Sequence, residues 1–135
     1  MKQLLPLKMA TNGILFILSL MIVFHLLVMS GMIPFDIVWG GNIADKHQLR
    51  LMESVSIAVN FIMLLFVLAY SGMLRLKPGP ATAKIGFTVM FVFFALNTLG
   101  NIVAKSALET YIFAPVTLLL SVCSFRIAAY SFSKR

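Results

Sequence analysis

The sequence predicts an all-α protein, a membrane-spanning antiparallel four-helix bundle running up-down-up-down. Hydrophobic residues make up 61% of the 135 residues and charged ones 11%, whereas a soluble domain is about half apolar and about a quarter charged. Most of the chain therefore has no water-facing surface to offer. Four apolar stretches, about 11–33, 53–74, 85–104 and 110–130, are each long enough to cross a hydrocarbon core of about 30 Å at about 1.5 Å per residue. Short links make successive spans antiparallel. Together they leave room for one integral membrane domain over residues 1–135 and no separate soluble module.

Each element has its own signals. Lys2 and Lys8 precede the first run, which outlasts a signal-peptide core and has no convincing small-x-small cleavage site, so it reads as a retained helix. Its one ionisable group is His25, and Pro34 is expected to end it. In "PFDIVWGG" an aromatic sits at interfacial depth and paired glycines permit a tight return. The segment is either a lid over a cavity or an interfacial re-entry anchored by Trp39. Asp45 is placed to N-cap a second helix that starts outside the membrane and brings Arg50 and Glu53 to the interface. "RLKPGPATAK" turns the chain into the third span. Ser106 and Glu109 in "SALE" have capping-box spacing for the fourth, and Pro115 either kinks that helix or marks its first turn.

Charge sets an expected orientation. Lys2, Lys8, Arg75, Lys77, Lys84, Arg126, Lys134 and Arg135 fall on one side, and Lys46, Arg50 and Lys105 on the other. The positive-inside rule then makes both termini cytoplasmic, as an even number of spans requires, in a multi-pass protein of a bacterial inner membrane. All four acids, Asp36, Asp45, Glu53 and Glu109, fall on the external side. The net charge of +7 thus belongs to the cytoplasmic face, where a bilayer with an anionic inner leaflet is the expected partner. Nucleic acid is not needed to explain it. Arg126, inside the fourth span, reads as a snorkelling anchor.

Cys123 is the only cysteine, which excludes an internal disulfide and any electron relay through cysteine pairs. No CxxC, HExxH, GxGxxG or GxxxxGK[ST] motif is present, so no cofactor or metal is expected. The candidate ligand-binding residues are His25, Asp36, Trp39, Glu53, Asn60, Asn97, Asn101 and Lys105. Asn97, Asn101 and Lys105 recur every four residues and form one stripe on the third helix, while Glu53, Ser56 and Asn60 share a face of the second. Polar groups inside a membrane are costly toward lipid and should point into the bundle. Asn and Ser also serve as interhelical glue, and Glu53 could pair with Arg50 or Lys105. Thr117, Ser121, Ser124, Ala128 and Ser131 form a small-residue seam for close packing, either within the chain or in a homo-oligomer.

"IPFDIVWGG" after a first span and "LNTLGNIVAKSALE" closing a third resemble an uncharacterised family of small bacterial four-span membrane proteins. That resemblance implies the architecture and no activity. Small multidrug exporters share the size and span count but carry a glutamate in the first span, where this chain has His25.

The functional expectation is a non-enzymatic one: a small-molecule or lipid binding protein, or an accessory subunit, with an externally open polar cavity. The alternatives are a membrane enzyme acting on a lipid or quinone-like substrate, with His25 or Glu53 carrying the proton, and a small proton-coupled carrier.

Overall fold

The computed structural model describes residues 5–133. Four helices make up the fold: α1 (Leu7–Met29), α2 (Lys46–Ser71), α3 (Pro80–Val103) and α4 (Ala114–Ser133). All are long and apolar enough to cross a membrane, and the fourth includes the wide π-helical turn Glu109–Phe113 at its start. The protein is an all-helical, multi-pass four-helix bundle.

The helix boundaries are set by residues other than those the hydropathy suggests. α1 ends at Met29, not at Pro34, because Gly31 adopts the left-handed conformation (φ 83°) and the Met32 and Ile33 amides turn back to the Leu27 carbonyl. Gly72 (φ 85°) ends α2 in the same way, with the Met73 amide donating to the Leu68 carbonyl. This is the glycine stop that satisfies a helix's last carbonyls. α2 starts well before its apolar run, since the Asp45 carboxylate accepts from the Gln48 amide at 2.8 Å while the Gln48 side chain accepts from the Ala44 amide at 2.7 Å. α3 starts earlier than its apolar stretch, with Pro80 in the first helical position, where its missing N–H costs nothing.

The expected capping box on the fourth span does not form. Ser106 donates instead to the Ile37 carbonyl at 2.6 Å, and Glu109 is drawn inward. Pro115 falls in the first turn of α4, one of the two places the sequence allows it, and the helix is preceded by a π turn rather than by an N-terminal loop. The proline comes just after that π turn, whose Ala114 amide reaches five residues back to the Glu109 carbonyl. A wider turn relieves the steric conflict between a proline ring and the preceding turn.

Packing is uneven around the bundle. α1 lies against α2 and α4, and α3 against α4, whereas α2 and α3 scarcely meet. The main core occupies the half of the bundle nearer the termini, where Ile14, Leu18, Val67, Phe87, Leu120 and Ile127 are fully buried. There α2 and α3 do touch: Phe87 packs on Phe66 and Tyr70 with ring centroids 5.3 and 4.8 Å apart. Gly86 lies so close that a Cβ would stand 2.2 Å from the Phe66 ring. At the other end a smaller cluster of Val28, Val38, Ile43 and Leu49 joins α1, α2 and the intervening loop. Among the described residues no comparable cluster joins that end of α2 to α3.

The small-residue seam faces inward. Thr117, Ser121, Ser124 and Ala128 are all buried, and Ser121 donates to the Phe91 carbonyl of α3 at 3.2 Å. Ser124→Leu should therefore overpack the interior and cost about 1 to 3 kcal/mol, read from thermal unfolding of the purified protein. Unchanged melting would move Ser124 to a lipid-facing position. Arg126 reaches toward the start of α1, where its Nε donates to the Leu5 carbonyl at 3.0 Å.

Candidate ligand-binding site

The chemistry gathers where the core is thin. Glu53 lies two turns into α2, on the face turned toward α1, and is 1% exposed. A carboxylate taken from water costs several kcal/mol unless its oxygens find partners, and both oxygens have one. His25 Nδ1 on α1 meets Oε2 at 2.6 Å, and the Trp39 Nε1–H donates to Oε1 at 2.7 Å. The His25–Glu53 contact joins α1 to α2 as a hydrogen bond, and as an ion pair when the imidazole is protonated. Glu53 does not pair with Arg50 or Lys105: Arg50 is exposed and Lys105 lies on the far side of the cavity described below.

Trp39 reaches Glu53 through an unusual backbone. It has φ 54°, and Gly40 and Gly41 follow at 64° and 73°, so three successive residues turn left-handed. Glycine does this freely, whereas a bulky residue does so at a cost on the order of 1 to 3 kcal/mol. The indole hydrogen bond to a charged group offsets that by about 1.5 to 3 kcal/mol. Gly41 is further confined, because a Cβ there would sit 3.3 Å from the Asp36 carbonyl.

A second buried acid holds the same loop from the opposite side. The Gly40 amide donates to Glu109 Oε2 at 2.8 Å across 69 residues of sequence. The Ile37 carbonyl accepts from Ser106 nearby. The loop is thus tied to α2 by Trp39, and to the start of the fourth span by Gly40 and Ile37. It bridges the two helix pairs over the end of the bundle.

Beneath that bridge lies a cavity of about 770 Å³ between α2 and α3. Its walls include His25, Trp39, Gly40, Glu53, Ser56, Asn60, Asn97, Asn101, Lys105 and Glu109, with Phe24, Phe94, Phe113 and Leu120 as apolar surface. Phe24 and Phe113 meet edge to face with centroids 4.8 Å apart. Val55, Leu96 and Val103 also line it yet are more than half exposed. They form an apolar rim along the gap between the two helices. Asn42 and Lys105 mark its polar end next to the loop.

Seven of the eight residues singled out from sequence line this one cavity. Asp36 does not: it is exposed, and only its backbone takes part in the loop. The asparagines also serve their own helices. Asn60 donates to the Ser56 carbonyl and Asn97 to the Phe93 carbonyl, both at 2.8 Å, while Asn101 reaches Thr117 Oγ1 on α4 at 3.4 Å. Thr98 and Thr117 share a hydroxyl contact at 3.0 Å that completes this α3–α4 link. Glu109 was placed as a cap by its spacing; its signal as a site residue was its position among acids gathered on one side. Gly40 gave none beyond its glycine pair.

Among the described residues no group of three His, Cys, Asp or Glu side chains could hold a metal ion. No protein-family model matches the chain, and neither a curated protein nor a solved structure is significantly similar to it. The sequence resemblance therefore adds nothing beyond the architecture, and the site is interpreted from its geometry.

Proposed function

We propose that this integral membrane protein binds a lipid or another small amphiphile in the cavity between α2 and α3. The observation that carries the reading is the cavity's two-sided lining: buried acids, a histidine, a tryptophan and four asparagines on one side, and an exposed apolar rim along its length. An amphiphile entering sideways from the bilayer would pass between Val55 and Val103, bring its polar head beneath the loop and leave its chain along Leu96. The opening is then lateral rather than directed straight outward, since residues 37–41 cover the end. Recovery of the ligand chemically unchanged, rather than turned over, separates binding from the enzymatic reading, which the contact between His25 and Glu53 at the cavity wall also favours.

Gly100 gives a direct test. It lines the cavity, and a Cβ there meets nothing within 4 Å, so Gly100→Phe should occupy the space without disturbing the helix. Native mass spectrometry after incubation with a bacterial lipid extract should show a retained amphiphile on the wild type and at least a tenfold loss on Gly100→Phe. Equal retention by both would remove the cavity as the binding site.

The orientation belongs to the same proposal: both termini cytoplasmic in a bacterial inner membrane, supported by the bias of lysine and arginine. Asn42 and Gly79 are exposed at opposite ends, and the native Cys123 is buried. A cysteine at Asn42 should react with an impermeant reagent in intact cells, and one at Gly79 should not. The reverse labelling would invert the bundle.

A further inference from the structure

A second cavity, of about 750 Å³, lies at the end of the bundle that carries the termini. It is an open cavity bounded by the first turns of α1, the end of α2, the start of α3 with the turn before it, and the end of α4. Among the described residues its charged lining has one sign: Lys8 and Lys77, beside Asn12, Ser71 and Ser131, and no acidic residue. Neither lysine forms an ion pair among the described residues. Among the described cations nearby, Lys84 lies over the Phe132 ring at 3.5 Å and Arg126 donates to Leu5, while Arg75 of the same turn is exposed. Leu7, Met73 and Ala83 supply an apolar flank.

We infer that this cavity takes a phosphate-bearing anion, with Lys8 and Lys77 as its charge partners. Basic pockets between membrane helices select anionic head groups in this way, with an apolar flank for the adjoining chain. The helix ends add to the field without making the site. Neither α1 nor α3, which both start here, has a side-chain N-cap or an acid in its first turn, so their positive ends are not neutralised. This inference is independent of the ligand proposed between α2 and α3.

The test uses the full chain in neutral detergent, offered phosphatidylglycerol and phosphatidylcholine together, with bound lipid counted by native mass spectrometry. Phosphatidylglycerol should be retained in preference, and Lys8→Gln with Lys77→Gln should weaken it roughly tenfold or more. Lys8→Arg with Lys77→Arg should keep most of it, and Lys46→Gln at the other end should change nothing. Lys8 and Lys77 are exposed, so the variants should fold; were the double change to unfold the protein, Lys77→Gln alone gives the same reading at smaller amplitude. Displacement of the lipid by inorganic phosphate in a manner dependent on these lysines would assign the site to a soluble phosphate. Absence of a preference for phosphatidylglycerol, or one that survives loss of both lysines, would overturn the inference.

Discussion

Glu53→Ala is expected to cost about 3 to 5 kcal/mol, the largest effect of any single substitution in the polar region. Glu53 is fully enclosed, and both oxygens are engaged by groups from elsewhere in the chain, His25 on α1 and Trp39 in the loop. Its removal leaves two polar groups without their partner in a water-poor site, and breaking a buried pair from one side costs that much. Glu53→Gln should cost less, because the amide oxygen can still accept from Trp39. Once Glu53 is gone, removing His25 as well should add little, so the two single changes sum to more than the double. Unfolding curves for the four proteins in one detergent check this. Strict additivity, or a loss below about 0.5 kcal/mol for Glu53→Ala, would mean that the pair does not organise this end of the bundle.

Glu109→Ala should cost about 1.5 to 3 kcal/mol, the range for a hydrogen bond to a charged group. More specifically, it should free the loop. The Gly40 amide loses its acceptor while Trp39 keeps its own, so hydrogen exchange at residues 37–41 should accelerate by about ten- to a hundredfold while α1 and α3 stay protected. Ser106→Ala, which removes the contact to Ile37, should act in the same direction and more weakly. Unchanged exchange in the loop would show that Glu109 is a helix-end contact and not a tether.

The four spans were legible because crossing a bilayer demands about 20 apolar residues, whatever the packing. Depth was legible too, since charge and aromatic character sort along the membrane normal, and seven candidate residues chosen largely by depth share one cavity. Azimuth was not. The sequence offers Glu53 only Arg50 or Lys105, and the packing of α1 against α2 gives it His25 instead. Asp36 shared the others' depth and still faces away. The partnership of Gly40 with Glu109 joins loops 69 residues apart, beyond any local pattern. The wide turn ahead of Pro115 required knowing that Glu109 is pulled inward, so the spacing of Ser106 and Glu109 suggested a capping box. Glycine stops at Gly31 and Gly72 were readable in principle, but the apolar runs continue past both.

On the proposed function, α2 and α3 stand apart to hold an amphiphile beneath a loop fixed by Glu53 and Glu109. An experimental structure of the protein in a lipid nanodisc tests it most directly. Elongated non-protein density should lie between α2 and α3, with its polar end within hydrogen-bonding reach of the region bounded by Glu53, Asn97 and Glu109 and its tail along Leu96. Helices α2 and α3 packed together with no such density, and Glu53 and Asn97 turned to different faces of the bundle, would contradict it.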